Sequence, residues 1–208
     1  MSLTASSLRL IVVAGLGPDG SPPTEGVAAA IRGGAGLVQL RGKTVTDRVL
    51  VEAARGLLAL CREAGVPMFV NDRPDIALAV RADGAHVGPD DLPPLEARRV
   101  LEILGLGVSA RTADRIRRAE EAGATYVGAG ALRASVTKPG APVLGIQGIA
   151  ALAASTSLPV VAVGGVLPED VPALRAAGVA GVAAATAVLG DPDPEAAARR
   201  FIAAWEAA

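Results

Sequence analysis

Two aspartates stand where they could share a divalent cation. Asp72 follows the apolar run VPMFV (66–70), and Asp91 follows the next apolar run, GAHV (84–87). If these runs are neighbouring parallel strands, both carboxylates leave the sheet on one side, and such hard oxygen donors suit Mg²⁺ with water and phosphate oxygens as further ligands. The alternative for each residue is capping of the helix that follows, a serious rival for Asp91 ahead of LPPLEARRV.

Three cations accompany this acidic pair. Arg41 and Lys43 follow the run GLVQL (36–40), and Lys138 lies in the loop 128–148, which is long for a connection between a strand and a helix. Arg41 offers a planar fork to phosphate oxygens, and the lysines offer point charges. Each alone is typical of a solvated surface, but together with two carboxylates they indicate a diphosphate site. Other polar side chains expected at the same rim are those of Gln39, Asn71, Asp90, Ser109, Ser135 and Thr137.

A second phosphate site is indicated near the end of the chain. The run LPVVAVGG (158–165) ends in two glycines, and a helix is predicted to start near Pro168. Glycines let backbone N–H groups approach an anion, and β/α barrels often bind phosphate between the loops after their last two strands. Thr186 offers a hydroxyl after the final run, although threonine in an alanine-rich turn is equally often structural.

The chain has one histidine and one cysteine, His86 and Cys61. We interpret His86 as a partly buried, hydrogen-bonded packing residue and not as a general base, because Asp90 and Asp91 are better placed on the rim. Cys61 lies in an apolar helical pattern, which predicts a buried and inert thiol. A single cysteine excludes a disulfide within the chain and fits the cytoplasm.

Short apolar runs that alternate with helical patterns must position these groups. Several runs are apolar on successive residues, as expected for parallel strands covered on both faces, and parallel strands require helical crossovers. We therefore predict an α/β fold, a single-domain (β/α)8 TIM barrel over residues 1–208. A doubly wound open sheet is the alternative, but no GxGxxG turn follows the first run. The predicted strands are 8–14, 36–40, 66–70, 84–87, 106–109, 124–128, 158–165 and 179–184, and the predicted helices include 46–64, 95–104, 112–122, 169–177 and 194–205.

Composition argues against several classes of function. The net charge is -1 and aromatic residues make up 2% of the chain, which disfavours nucleic-acid binding through a basic surface or through base stacking. The uncharged stretch 139–168 contains too many prolines and glycines for a membrane span. The first residues, MSLTASS, lack the pattern of a secretory signal, so we expect a cytoplasmic protein.

An ordered set of seven motifs resembles that of the thiamine phosphate synthases and covers nearly the whole chain. The motifs are VQLRGK, FVND, DGAHVGPDDL, GVSA, SVTK, VAVGGV and VAAATAV. The resemblance implies a transferase that joins an aminopyrimidine methyl diphosphate to a thiazole phosphate and releases pyrophosphate. It implies Mg²⁺ held by Asp72 and Asp91, and small-molecule substrates as partners; a homodimer is left open. It places the pyrimidine diphosphate on Gln39, Leu40, Arg41, Gly42, Lys43, Asn71, Ser109 and Lys138, and the thiazole phosphate on Ser135, Val136, Thr137, Gly165, Ala185 and Thr186.

The chemistry that the resemblance implies needs a stabilised leaving group more than a protein nucleophile. An electron-rich aminopyrimidine can lose pyrophosphate to give a stabilised carbocation, which the thiazole nitrogen attacks. Positive charge beside the departing diphosphate would therefore accelerate the reaction. We assign this catalytic work to Arg41, Lys43 and Lys138, together with Ser109.

Two positions depart from the family pattern, and two rival functions follow from related folds. Arg73 stands where many relatives have a second aspartate, which could alter the surroundings of the metal, and Ser135 replaces threonine but keeps the hydroxyl. A thiazole tautomerase of the same barrel type would not need a diphosphate site. A non-catalytic sensor of phosphorylated metabolites would bind the substrates without releasing pyrophosphate.

Overall fold

Eight parallel strands close into a barrel in the order β1-β2-β3-β4-β5-β6-β7-β8. The computed structural model of the chain describes residues 3–134 and 142–208. The last strand pairs with the first, where Val12 lies opposite Ala184. The predicted (β/α)8 barrel is confirmed. The strands are β1 Leu10–Gly15, β2 Leu37–Arg41, β3 Met68–Asn71, β4 Gly84–Val87, β5 Gly105–Ala110, β6 Tyr126–Ala129, β7 Val160–Val163 and β8 Gly181–Ala184.

Helices connect the strands and cover the outside of the barrel. Their apolar faces form the larger part of the core against the outer faces of the strands. A one-turn 3-10 helix, Pro168–Asp170, precedes α8. The described helices are α1 Ala5–Leu8, α2 Thr24–Arg32, α3 Asp47–Glu63, α4 Pro74–Val80, α5 Pro94–Leu101, α6 Ala113–Glu121, α7 Gly145–Ala153, α8 Val171–Ala176, α9 Thr186–Leu189 and α10 Pro194–Glu206.

Local residues fix the ends of several helices. Thr112 and Asp193 each accept a hydrogen bond through the side chain from a backbone N–H in the first turn of α6 and α10. Gly65, Gly123 and Gly178 follow α3, α6 and α8 with φ angles of 69°, 61° and 80°, a region that strains other residues. These ends agree with what the capping residues and glycines predict.

Helix α5 is shorter than its sequence pattern predicts. It ends at Leu101 because Glu102 takes the left-handed region with φ of 53°. Arg98 stabilises this end, since its guanidinium donates hydrogen bonds of 2.7 Å to the carbonyl oxygens of Glu102 and Leu104. The apolar residues after Leu101 therefore belong to a turn and not to a longer helix.

Two aromatic rings fill the inside of the barrel. Phe69 and Tyr126 are fully buried, with ring centroids 6.0 Å apart. A β-carbon added to Gly105 would lie 2.3 Å from the Phe69 ring, and one added to Gly107 would lie 2.5 Å from the Tyr126 ring. Glycine at these two positions of β5 is therefore a packing requirement of the aromatic core.

The uncharged stretch near α7 folds as the sequence predicts. Its described part runs through a loop, α7 and the buried strand β7. Among residues 3–134 and 142–208, no helix is both long and apolar enough to cross a membrane. Cys61 is fully buried in α3, and burial raises the pKa of its thiol to about 12, as expected for an inert cysteine.

Candidate active site

The loops after β2, β3 and β4 bring a lysine and two aspartates together. Lys43 Nζ lies 3.7 Å from Asp72 Oδ2, and Asn71 Nδ2 donates a hydrogen bond of 2.6 Å to Asp72 Oδ1. The Asp91 carboxylate lies near enough to Asp72 to raise the pKa of the Asp72 carboxyl group. Consecutive strands of the barrel thus place on one rim the acidic pair and one of its predicted cations.

Neither aspartate caps the helix that follows it. Helix α5 begins at Pro94 with Pro93 as its N-cap residue, whereas Asp91 Oδ2 accepts a hydrogen bond of 2.6 Å from the N–H of Gly88. Helix α4 has Arg73 as its N-cap residue and no side-chain cap. The capping alternative is therefore wrong for both aspartates, and their carboxylates remain directed to the rim.

Asp72 is poised to accept a cation. Burial and the neighbouring Asp91 carboxylate raise its pKa from 3.8 to about 6, although Lys43 and Arg41 pull it in the opposite direction. Two carboxylates in contact repel each other when both are ionised, and a shared divalent cation would relieve that repulsion. No third acidic, histidine or cysteine side chain joins them within the described ranges, so a metal here would keep positions for water and phosphate oxygens.

The backbone at Asp72 is held in an unusual conformation. Its φ angle is 68°, in the left-handed region that side chains other than those of glycine and asparagine rarely adopt. The Asp72 N–H donates a hydrogen bond of 2.8 Å to the carbonyl oxygen of His86 in β4. Pairing with the neighbouring strand therefore fixes the direction in which the carboxylate leaves the barrel, and such strain is commonly found at functional positions.

Arg73, which departs from the family pattern, is neutralised by two other carboxylates. Its guanidinium donates hydrogen bonds of 2.6 and 2.9 Å to Asp75 and of 2.5 and 3.2 Å to Asp47. These partners raise the pKa of Arg73, so the side chain stays charged and paired. The extra cation beside the acidic pair is thus already neutralised by carboxylates in the first turns of α3 and α4.

A cavity of about 430 Å³ opens at the carboxyl ends of the strands. Arg41 lines it, and the Arg41 Nε atom is buried without a hydrogen-bond partner in the part of the chain that the structure describes. A buried N–H without an acceptor is costly, and a bound anion would satisfy it. Arg41 also acts on Asp72 electrostatically, which links the cavity to the acidic pair.

The opposite wall of the cavity is formed by the ends of β7 and β8. Gly164 and Gly165 have φ angles of 87° and 75°. Within the described residues, no carbonyl accepts a hydrogen bond from the N–H of Gly165 or of Ala185, and both residues line the cavity with Thr186. Free N–H groups in such a turn are suited to bind a phosphate.

Gly165→Ala is expected to weaken binding of the phosphate at this wall. The residue needs a positive φ, and an added β-carbon would lie 2.5 Å from Arg133 Cγ, so the turn must move. We expect the KM for the thiazole phosphate that the sequence resemblance implies as a substrate to rise by about tenfold. Gly178→Ala is the matched control, because Gly178 has φ of 80° but nothing within 4 Å. It should lower the melting temperature without changing KM, and equal KM values in both variants would refute the assignment.

Four polar side chains form the floor of the cavity. Gln39 Nε2 lies 2.6 Å from the Tyr126 hydroxyl, which lies 2.9 Å from His86 Nδ1, and His86 Nε2 lies 2.8 Å from Ser109 Oγ. His86 is 8% exposed, so it is the buried, hydrogen-bonded residue that the sequence predicts. It nevertheless lines the cavity, which the packing interpretation did not include.

The predicted site residues fall into four groups in the structure. Leu40 turns its side chain to the core outside the barrel, and Gly42 packs against side chains of Leu16, Val45 and Leu50, so only their backbones could reach a ligand. Ser135, Val136, Thr137 and Lys138 lie outside the described residues. The acidic pair and Lys43 lie together on the rim. The cavity itself is lined by Gln39, Arg41, Asn71, Ser109, Gly165, Ala185 and Thr186.

Sequence reasoning missed three residues of the cavity wall. Tyr126, in the predicted strand 124–128, was given no functional role, His86 was interpreted as a packing residue, and Arg111 was not considered, yet all three line the cavity. Arg111 follows β5 at the carboxyl rim, so the rule that found Arg41 after β2 could have found it as well. Its Nε donates a hydrogen bond of 2.9 Å to the carbonyl oxygen of Gly130.

A closed (β/α)8 barrel whose cavity at the carboxyl ends of the strands carries several polar side chains is the arrangement of a β/α-barrel enzyme, since this class carries its active site at that rim. Comparison with known proteins defines the family within this class. The chain belongs to the thiamine monophosphate synthase family, whose model matches residues 10–188.

Individual relatives agree with this membership. A thiamine-phosphate synthase of Moorella thermoacetica is 45% identical over 198 residues, which cover 93% of either chain. One of Roseiflexus sp. (strain RS-1) is 48% identical over 179 residues, 85% of this chain and 75% of the relative. The solved structure of a thiamine phosphate pyrophosphorylase from Pyrococcus furiosus is 33% identical, with a TM-score of 0.88 and 98% of both chains covered.

Proposed function

We propose that this chain joins 4-amino-2-methyl-5-(diphosphooxymethyl)pyrimidine to a thiazole phosphate, giving thiamine phosphate and pyrophosphate. The observation that carries the proposal is the ion pair of Lys43 with Asp72, near Asp91 and beside the cavity of a barrel of this family. A tautomerase would have no use for that cluster, because its substrate carries no diphosphate.

Asp72 and Asp91 would hold Mg²⁺. The fit rests on the oxygen donors that the two residues offer at the ends of neighbouring strands, and on the nearness of Asp91, which raises the pKa of Asp72. When bound, the ion would neutralise charge on the diphosphate as it leaves. Asn71 keeps Asp72 in place through its hydrogen bond of 2.6 Å.

Cations of the chain would stabilise the departing pyrophosphate. Arg41 supplies a guanidinium whose buried Nε has no hydrogen-bond partner among the described residues, and Lys43 lies at the rim. The chain has only two lysines among its 20 basic residues, and both, Lys43 and Lys138, fall in the family's motifs. Lysine is a compact point charge that can follow a phosphate as it moves, which arginine does less easily.

The reaction needs no nucleophile from the protein. Loss of pyrophosphate leaves a pyrimidine carbocation, and the thiazole nitrogen forms the new C–N bond with its own lone pair. The residues around the substrates must hold the two rings together and keep water away from the cation. The valine and alanine side chains that line the cavity suit this requirement.

The thiazole phosphate would lie between the ends of β7 and β8. The N–H groups of Gly165 and Ala185, together with the Thr186 hydroxyl, would bind its phosphate. Ser135, Val136 and Thr137 would complete this side from the loop after β6, as the family's motif implies. The two phosphate-bearing substrates would thus enter from opposite walls of one cavity.

The test is a pyrophosphate-release assay with both substrates, with the coupled product checked by mass. We expect release only when both substrates and Mg²⁺ are present. Binding of both substrates without release would favour a sensor. Turnover of a thiazole phosphate alone, without the pyrimidine, would favour a tautomerase and refute the proposal.

Lys138→Ala is expected to lower kcat by about 100-fold with little change in melting temperature. The lost positive charge would no longer offset charge on the leaving group, while a lysine in the loop that the sequence predicts is expected to contribute little to folding. Lys138→Arg is the control, and it should recover part of the rate. Steady-state assays measure both variants, and unchanged turnover in Lys138→Ala would remove this residue from the mechanism.

A further inference from the structure

The chain of hydrogen bonds on the cavity floor has a single direction. The hydroxyl of Tyr126 is fully buried and has two partners in the described structure, Gln39 Nε2 and His86 Nδ1. An amide nitrogen can only donate, so the one hydroxyl hydrogen must go to the histidine. His86 Nδ1 is then an acceptor, and a neutral ring carries its hydrogen on Nε2.

This direction continues to the serine. The Nε2–H of His86 donates to Ser109 Oγ over 2.8 Å, and the serine hydroxyl hydrogen is left to point into the cavity. At the other end, Gln39 Nε2 donates to the Tyr126 hydroxyl, which leaves the Gln39 amide oxygen available to a ligand in the cavity. With one N–H of Gln39 bonded to Tyr126, the Gln39 amide oxygen is an acceptor for a ligand, and the Ser109 hydroxyl is a donor.

The barrel is built to leave room for this arrangement. A β-carbon on Gly107 would lie 2.5 Å from His86 Nδ1 and 2.6 Å from the Tyr126 hydroxyl. One on Gly128 would lie 3.1 Å from His86 Cε1. Any side chain at position 107 would thus displace the hydrogen-bonded groups themselves, and glycine there preserves them.

We propose that Tyr126 and His86 are positioning residues that fix the hydrogen-bonding polarity of Gln39 and Ser109 and thereby select an aminopyrimidine over its oxo analogue. An exocyclic amino group donates to the Gln39 oxygen, and a ring nitrogen accepts from the Ser109 hydroxyl. An oxo pyrimidine presents the reverse pattern and would leave buried polar groups unpaired, which is the strongest basis for discrimination. The choice of ligand rests on the proposed function, whereas the polarity of the floor does not.

The first test measures the tautomer of His86 in the protein without ligands, because this tautomer reports the direction of the hydrogen bonds. His86 is the chain's only histidine, so ¹⁵N NMR of histidine-labelled protein reports this ring alone. We expect the neutral tautomer with hydrogen on Nε2. The tautomer with hydrogen on Nδ1, or a doubly protonated ring at neutral pH, would overturn the proposal. The expected tautomer in a protein that releases no pyrophosphate would instead refute the proposed function alone.

The second test uses Tyr126→Phe, which keeps the ring and removes the hydroxyl. We expect a mixture of tautomers at His86, a KM for the pyrimidine diphosphate raised at least about tenfold, and an unchanged KM for the thiazole phosphate. Preference for the amino over the 4-oxo substrate should fall by about tenfold as well. Phe69→Leu is the control, because it disturbs the same aromatic core without touching the hydrogen bonds.

The outcomes of the second test are distinct. Unchanged discrimination in folded Tyr126→Phe, or an equal loss in Phe69→Leu, would reduce Tyr126 to a packing residue. Should Tyr126→Phe fail to fold, His86→Gln serves instead, since its amide can still donate towards Ser109. It should retain more discrimination than His86→Ala, and equal loss in these two variants would also overturn the proposal.

Discussion

Asp72→Asn is expected to lower kcat by about 1,000-fold. The same substitution should raise the free energy of unfolding by about 1–2 kcal/mol, measured at neutral pH without metal. The activity falls because an amide is a poor ligand for Mg²⁺ beside Asp91. The stability rises because a buried carboxylate in contact with another is replaced by a neutral group. Asparagine also tolerates the positive φ of 68° at this position better than aspartate does.

The pH dependence of the free energy of unfolding explains why Asp72→Asn is expected to be more stable than the natural chain at neutral pH. Asp72 has a pKa of about 6 in the folded chain, against 3.8 for an ordinary aspartate. Between these values the folded state holds the proton more tightly, so the free energy of unfolding falls as the pH rises through this window. Asp72→Asn lacks this loss. The two proteins should therefore be about equally stable near pH 4 and differ most above pH 6.

The control for this stability effect is Asp75→Asn. Hydrogen bonds from Arg73 lower the pKa of Asp75, so its carboxylate is stabilised by folding. Its removal should lower the free energy of unfolding above the ordinary carboxyl pKa, with kcat nearly unchanged. Chemical denaturation from pH 4 to 8 without metal measures both variants. A less stable Asp72→Asn at neutral pH would show that the acidic pair is not electrostatically frustrated.

Arg41→Met is expected to lower kcat by about 100- to 1,000-fold while the melting temperature stays the same or rises. The guanidinium contributes a buried Nε that has no acceptor among the described residues, so folding gains little from it. Its interaction with a leaving diphosphate would be made chiefly as charge develops. Arg41→Lys should recover only part of the rate, since an ammonium cannot form the planar fork.

Arg111→Met is the matched control for Arg41. Both arginines line the same cavity, but Arg111 Nε already donates to the carbonyl oxygen of Gly130. We expect a loss of activity below about tenfold and a lower melting temperature. Steady-state kinetics and thermal unfolding of the three variants separate the roles. Equal kinetic losses at both positions would mean that general positive potential, and not Arg41 in particular, acts on the substrate.

Most of the fold follows from local features of the sequence. The apolar run 84–87 matches β4 because a short run bounded by polar residues and glycine has few other structures available. The end of α5 could not be predicted in this way, since it depends on Arg98 reaching carbonyl oxygens beyond the helix. Such a contact is visible only once the backbone is in place.

The site was predictable where position along a strand decides it. Asp72 and Asp91 were found because both follow strands that are neighbours in a barrel, and neighbours must share a rim. The role of Arg73 was not predictable, because one of its partners, Asp47, lies in the first turn of a different helix, 26 residues away in sequence. The sequence placed an uncompensated charge there, and tertiary contacts neutralise it.

The floor of the cavity marks the clearest limit of sequence reasoning. Tyr126 and His86 lie in apolar runs, a pattern typical of packing residues, and their burial alone agrees with that interpretation. Their hydrogen bonds arise because both side chains point inside the barrel, where Gly107 leaves them space. Inward or outward direction alternates by a single residue, and short strands give a weak pattern from which to choose.

We expect the acidic pair and its cations to bind a diphosphate together with Mg²⁺. Calorimetric titration of inorganic pyrophosphate into the chain, with and without Mg²⁺, tests it most directly. We predict binding that requires the metal and weakens at least about 100-fold in Asp72→Asn and in Asp91→Asn, but not in Asp75→Asn. Pyrophosphate that binds equally well without Mg²⁺, or to both of the first two variants, would contradict the account.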